Sequence, residues 1–533
     1  MIQSMKLPLL MLLVSLSAIV DQPAPAHEGD QVHESGDAYI PTHFFTGTLY
    51  IGTVKQLTER QAAQLGQEFG GEPKTLMLIG ASAVQPIDPC ASCLLETKWR
   101  SIVHYKAPGE TLVSEREGLA DELKRLAAGS CVWLHACSLK DSDDAAHAWL
   151  TEQLADCLRR DVTVCIDCAA TSAVTDRSAQ PMRSGLIAAS LSLMPSIQLR
   201  HLADQSSLLE PDGVVISVPD DAWVRVRGRE LFNLSASNEL VITWPKTDQY
   251  PRELVEHLQP RTVCDLVAAR RSLAERNQPA FPADGPYDHR LSNGSLIIVG
   301  GGGAPPEIWQ KFVALAGGES ARIVVLPTAV PEPESRASEA RIFQQLGAKQ
   351  VKVLPQIDRD DVSSAAYLEN FQSATGVWFG GGRQWRFVDA YWGTPAWSAI
   401  VGVAHRGGVI GGSSAGATIQ GDLLVRGHPL GNHVMVADGY RRGLGLLPGV
   451  AIDQHFRQRN RFDDLAGVVK RFPQILGIGI DEATALVVEA PDKCSVIGQG
   501  SVWLSYPTQE PRAFVERATG TEFQLNAPEP GMP

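Results

Sequence analysis

One stretch of the sequence could carry a nucleophile: Gly412-Ser413-Ser414-Ala415-Gly416, a Gly-x-Ser-x-Gly pattern. It follows directly on the apolar run GGVIG. There it reads as a strand turning sharply into a helix. Small neighbours are needed at such a turn, because the nucleophile's backbone is strained and closely packed. The turn lifts the Ser414 hydroxyl to the carboxyl end of a sheet and to a helix N-terminus. The backbone N–H of Ala415 can then donate to a developing oxyanion. Without the preceding strand, the same five residues would read as a Gly/Ser-rich turn.

A serine hydroxyl is a weak nucleophile without a base. The candidate base is His455, in Ile452-Asp453-Gln454-His455-Phe456-Arg457-Gln458-Arg459-Asn460-Arg461, just after another apolar run. The acid that would hold its tautomer has three candidates. Asp481 and Glu482 lie in LGIGIDEATALVV, and Asp453 is close to the histidine in sequence. That nearness makes Asp453 the poorest fit. Gly380, Gly381 and Gly382 follow the run GVWF and precede Arg383 and Gln384. A glycine turn of this kind can bring backbone N–H groups toward an anion.

The elements that must position these residues can also be read. LIIVG, ARIVVLP, VKVLP, GVWFGG and GGVIGG are continuous apolar runs ending in Gly or Pro. Strands buried on both faces look like this. Helix-length segments separate them, among them PPEIWQKFVALAG and RQWRFVDAYWGTPAWSAIVGVAHR. The β-α-β succession predicts an α/β fold with a parallel sheet covered on both faces.

The two halves of the chain read as copies of one another. GTLYIGTVKQLTERQAAQLGQEFGGEPKTLMLIGASA at Gly47 matches GSLIIVGGGGAPPEIWQKFVALAGGESARIVVLPTAV at Gly294 without a gap. CVWLHA at Cys131 answers GVWFGG at Gly376, and DVTVCIDCAATSA at Asp161 answers RGGVIGGSSAGAT at Arg406. LMPSIQL at Leu193 answers LLPGVAI at Leu446, and VVISVPDDAWVRVRG at Val214 answers LVVEAPDKCSVIGQG at Leu486. In this comparison Ala169 falls opposite Ser414 with Cys168 beside it, and Leu202 falls opposite His455 with His201 beside it. The first half keeps the fold pattern and loses the chemistry. A cysteine site at Cys168 with His201 as base is the weaker reading, because the glycine elbow is missing.

With 533 residues, two domains are expected. Residues 40–275 form the degenerate copy, 276–290 a linker rich in Pro and polar residues, 291–507 the catalytic copy, and 508–533 a fraying tail. Residues 1–26 read as an export signal: Lys6, the apolar run Leu7 to Val20, then Ala24-Pro25-Ala26. A secreted or periplasmic location follows, with no membrane span after signal cleavage. The net charge of -13 argues against a nucleic-acid partner. Nine cysteines leave one over if the others pair. Cys90/Cys93 and Cys165/Cys168 lack the setting of a zinc site, since Cys165 falls within an apolar strand. No metal and no cofactor is expected.

Four motifs carry a resemblance: FGGGRQ at Phe379, GGSSAGA at Gly411, DQHFRQRNR at Asp453 and GIDEATAL at Gly479. With them, roughly residues 290 to 505 resemble the cyanophycinase and dipeptidase E family of serine peptidases, peptidase family S51. The resemblance implies two tandem flavodoxin-like domains, of the class I glutamine amidotransferase-like kind, with parallel sheets. It implies Ser414 as nucleophile, His455 as base and Glu482 as the third member. Gly381, Gly382 and Ala415 would serve the oxyanion. Gln384, Asp453, Gln454, Arg459 and Arg461 would touch the substrate. The implied activity is hydrolysis of β-aspartyl-arginine polymer or related isoaspartyl peptides through an acyl-enzyme, by an exported exopeptidase; a homodimer is compatible with this. An aspartyl dipeptidase-like enzyme of other specificity and a non-catalytic exported binding protein are the alternatives. Two residues depart from the family pattern. Arg383 stands where Asp or Asn is usual, and Asp464 where cyanophycinases carry another Arg.

Overall fold

The fold is given by a computed structural model. It describes residues 222–506 except 236, 337 and 338, together with 514–526. In the first half it also describes 48–52, 75–79, 101–105, 113–126, 131–135, 153–154, 156–160, 163–167, 197–201 and 213–219. The chain divides into two compact units, Met1–Asn277 and Gln278–Pro533. The export signal expected over 1–26 lies outside the described residues. So do Cys90, Cys93 and Cys168. No described helix is long and apolar enough to cross a membrane.

The first unit has strands β1 (Thr48–Gly52), β2 (Thr75–Ile79), β3 (Ser101–Tyr105), β4 (Cys131–His135), β5 (Thr163–Asp167) and β6 (Ile197–His201). They are followed by β7 (Val214–Val218), β8 (Val224–Arg227), β9 (Glu230–Asn233), β10 (Leu240–Trp244), β11 (Leu254–Leu258) and β12 (Val263–Asp265). One sheet runs β3-β2-β4-β5-β1-β8-β9-β12 and the other β6-β7-β10-β11. The pairs from β3 to β1 are parallel, and β8, β9 and β12 extend that sheet antiparallel.

The second unit has β13 (Ser295–Val299), β14 (Arg322–Leu326), β15 (Gln350–Val353), β16 (Gly376–Phe379), β17 (Val409–Ser413) and β18 (Gly421–Leu423). It continues with β19 (Leu447–Gln454), β20 (Leu476–Ile480), β21 (Thr484–Glu489), β22 (Lys493–Gly498), β23 (Ser501–Ser505), β24 (Val515–Ala518) and β25 (Glu522–Gln524). Its sheets run β15-β14-β16-β17-β13-β21-β22-β25 and β18-β19-β20-β23-β24. Counted from β1 and from β13, the first five strands of each main sheet run in the same order, 3-2-4-5-1, and three further strands extend each sheet.

The apolar runs of the second half became these strands because both faces are covered. Leu296, Ile297, Ile298 and Val299 of β13 are fully buried. The helix Pro306–Leu315, with proline in its first turn, buries Ile308, Phe312 and Val313. The Phe312 ring packs edge-on to Trp378 of β16 at 5.1 Å and near Phe343 at 5.3 Å. The long segment after Arg383 forms two helices, Trp385–Tyr391 and Pro395–His405. Pro395 cannot donate to the first helix but suits the first turn of the second.

Several expectations change in detail. Of the segment 276–290, Arg276 ends a helix of the first unit. Asn277 caps that helix, and from Gln278 the segment belongs to the second unit: the Arg442 guanidinium stacks on Phe281, and His289 Nδ1 meets the Pro448 carbonyl at 2.8 Å. Residues 515–518 and 522–524 of the expected fraying tail form β24 and β25, paired with β23 and β22. β6 pairs in parallel with β7, and β19 pairs in parallel with β20. Leu49 pairs with Val164, and Leu296 pairs with Ile410. Four residues on from Val164 stands Cys168 in the sequence, and four on from Ile410 stands Ser414. Cys157, Cys264 and Cys494 are free thiols, and burial pushes Cys157 up to about 11 and Cys494 up to about 12.

Candidate active site

Ser414 sits between β17 and the short helix Ala415–Thr418, with φ 57° and ψ −111°. This strained backbone is held by hydrogen bonds. The Ser414 N–H donates to the Val299 carbonyl at 3.0 Å, and its own carbonyl accepts from Ala417 and Thr418. The flanking glycines are there for space: a Cβ on Gly412 would lie 2.3 Å from the Gly416 carbonyl oxygen. The turn after β16 packs on this elbow, and a Cβ on Gly381 would be 3.6 Å from that of Ser414. Gly382, at φ 148°, approaches the Ala329 carbonyl. Among the described residues no hydrogen bond engages the N–H groups of Ala415, Gly381 or Gly382. All three are available to an oxyanion.

His455 follows β19 directly, at φ 52°. Its Nε2 is 3.0 Å from Ser414 Oγ, and its Nδ1 is 2.6 Å from Glu482 Oε1. Of the three acids open to the sequence, Glu482 is therefore the one at the imidazole. Asp481 is wholly buried and faces elsewhere. It accepts from the Arg457 N–H, the Ser501 N–H and Trp503 Nε1, and pairs with the Arg457 guanidinium at 3.0 Å. Burial holds the His455 imidazole below the ordinary histidine value, and the Arg459 and Arg461 charges push the same way. Glu482 opposes them in part. The imidazole is thus neutral at neutral pH and can take the Ser414 proton, and Glu482 can steady the imidazolium that results.

Asp453 is placed differently from the expectation of substrate contact. It is fully buried and held by Arg426 at 3.0 Å and by Arg461 at 2.8 Å, and it also accepts the Gln454 N–H. Arg426 also reaches Asp464 at 2.6 Å, so two arginines and two carboxylates balance. Arg461 donates to the Gln454 carbonyl at 2.7 Å as well. Asp453 and Arg461 therefore brace the strand end before His455. Gln454 Oε1 lies 3.4 Å from Ser414 Oγ. Gln384 is buried and donates to the Val425 carbonyl at 2.8 Å. Arg459 is exposed near the imidazole. Among the described residues no group of three or more His, Cys, Asp or Glu could hold a metal ion.

The turn Gly300–Gly303, after β13, was missed as part of the site. The Gly300 carbonyl accepts the His455 N–H at 2.7 Å, and the Gly301 carbonyl accepts the Ala483 N–H at 2.8 Å. A Cβ on Gly301 would be 2.3 Å from the His455 ring, and one on Gly302 would be 2.5 Å from Glu482 Oε2. The signal was the run of four glycines in VGGGG, more than a simple strand end needs.

Two outcomes follow for labelling of Ser414 by a fluorophosphonate. Gly301→Ala displaces the imidazole and should slow labelling by about 100-fold, the order expected for a shift of about 1 Å. Gly303→Ala is the control. It also has positive φ, at 92°, but nothing lies within 4 Å of its added Cβ. If both variants label alike, backbone strain rather than displacement is the cause. In the wild type, labelling should fall as pH drops through a midpoint below the ordinary histidine value, because protonated His455 cannot act as base. A midpoint above that value would contradict the burial of the ring.

Comparison with known proteins gives the family. The family model "Peptidase family S51" matches residues 295–495. A cyanophycinase of Geminocystis herdmanii is 36% identical over 216 residues, which is 39% of this chain and 79% of the relative. A cyanophycinase of Trichormus variabilis is 34% identical over 224 residues, 40% of this chain and 74% of the relative. A crystal structure of a peptidase from an acI-B1 Actinobacterium matches at 24% identity and a TM-score of 0.36, covering 44% of this chain and 98% of that one. With the matched residues spanning the elbow, the imidazole and the carboxylate, the chain belongs to peptidase family S51 and is a serine peptidase.

Proposed function

We propose that this chain is an exported hydrolase that cleaves β-aspartyl-arginine polymer or related isoaspartyl peptides through an acyl-enzyme on Ser414. The observation that carries the reading is the unbroken hydrogen-bonded series Ser414–His455–Glu482 on a strand-to-helix elbow. Its likeness to two cyanophycinases supports the substrate class. His455 Nε2 takes the Ser414 proton as the oxygen attacks the scissile carbonyl. The N–H groups of Ala415, Gly381 and Gly382 receive the oxyanion. His455 then gives the proton to the leaving amine. Water, activated by the same imidazole, releases the acyl group and restores the serine. Export rests on the apolar run from Leu7 and on Ala24-Pro25-Ala26. A mature N-terminus near residue 27 would bear it out.

The first unit is, in this reading, a degenerate copy of the second. The shared order of the first five strands in the two main sheets supports it. At the first-unit positions matching Ser414, His455, Gly301 and Gly302 stand Cys168, Leu202, Val54 and Lys55. A thiol is there, but the base is not, and neither is the glycine turn that makes room for one.

Incubation with the polymer and with β-aspartyl and α-aspartyl peptides, with products identified by mass, tests the reaction. Ser414→Ala should lower turnover by at least about 10³-fold with the fold intact, leaving only what the oxyanion donors and binding supply. Ser413→Ala should be far milder. Normal turnover by Ser414→Ala would sink the assignment. The double change Cys168→Ala with His201→Ala should keep turnover within about twofold. A large fall in that protein, still folded, would show a second active site in the first unit.

A further inference from the structure

Arg383 follows closely on the glycine turn that packs on the elbow, and among the described residues it has no acid of its own. Its N–H donates to the Ala329 carbonyl at 2.9 Å. Two residues earlier, Gly381 lies against Ser414. The Arg383 side chain is partly buried and reaches the segment beyond β18, where Nη2 donates to the His428 carbonyl at 3.0 Å. Its neighbour Gln384 binds the same segment through the Val425 carbonyl. Arg383 Nε is buried with no partner.

The carboxylates of the site are already committed. Asp453 is held by Arg426 and Arg461, Asp464 by Arg426, Asp481 by Arg457, and Glu482 by His455. Among the described residues none pairs with Arg383. A guanidinium partly withdrawn from water and bonded to one neutral carbonyl has lost hydration without gaining a counter-charge. A carboxylate meeting its fork makes the strong, directional pair for which arginine is suited.

We propose that Arg383 is a specificity-determining residue that holds a free carboxylate of the substrate beside the Ser414 elbow. The proposal rests on the hydrolase reading above, in which each β-aspartyl-arginine unit offers a free carboxylate on its arginine arm. It separates Arg383 from Arg459, which stands on the imidazole side and carries no bond to Arg383.

The test is binding of β-aspartyl-arginine and of its arginine C-terminal amide to the inactive Ser414→Ala protein, by calorimetry. With Arg383 present, the acid should bind about 10- to 100-fold more tightly than the amide, the worth of a hydrogen bond to a charged group. Adding Arg383→Gln should bring the two affinities within about threefold. Arg383→Lys should give an intermediate ratio, since it keeps the charge without the fork. Circular dichroism on each variant separates misfolding from lost recognition. The proposal is overturned if folded Arg383→Gln keeps the wild-type ratio, if acid and amide bind alike with Arg383 present, or if neither binds. Wild-type turnover of the polymer is scored separately. Discrimination through Arg383 without cleavage would sink the hydrolase reading alone, and cleavage without discrimination would sink this one alone.

Discussion

The imidazole of His455 occupies the space that a side chain on the turn Gly300–Gly303 would fill. That exclusion is what the remainder of the site depends on. The turn ends β13, the strand at the middle of the main sheet, and its carbonyls bind the His455 and Ala483 backbone from two other segments. One short stretch of bare backbone thus registers three strand ends against one another. His455 and Ala483 are themselves at positive φ, at 52° and 54°. A conformation costing on the order of 1 kcal/mol or more at each persists only where its surroundings fix it. Here the hydrogen bonds to the glycine turn supply that constraint.

Behind the imidazole lies a second constraint, electrostatic rather than steric. Asp453 is a fully buried charge, tolerable because two guanidinium groups reach it. Removing one of them would leave it under-compensated, at a cost of about 3–5 kcal/mol where such a pair is broken in an interior. Gln454 and His455 follow it in sequence, so the charge cluster and the glycine turn both hold the end of β19. Asp464 completes the neutral balance through Arg426. A charge that looked like a substrate contact in the sequence is therefore part of the frame.

What could be read from the sequence was whatever has a local signature. The elbow was legible because Gly-x-Ser-x-Gly after a buried strand has few structural meanings, and the parallel sheet because its strands are apolar without interruption. The choice between Asp481 and Glu482 was not legible. Both end the same strand, and only the partners Arg457, Ser501 and Trp503, brought in from distant segments, draw Asp481 away. The role of Gly301 and Gly302 was hidden for a related reason: glycine shows that space is needed, not what fills it. The end of the chain looked like a tail because short edge strands carry too few residues to show a period.

Those edge strands tie the two sheets of the second unit to a common fate. β24 closes one sheet on β23, and a few residues later β25 closes the other on β22. A single short ribbon thus works as a clasp across two open rims. Peeling it off would unveil two rows of unpaired N–H and C=O groups together, and each such row is a template for a foreign strand. The first step of local opening at this end is therefore also a step toward self-association, and resistance to clumping in this unit is set by a dozen residues far from its chemistry in sequence.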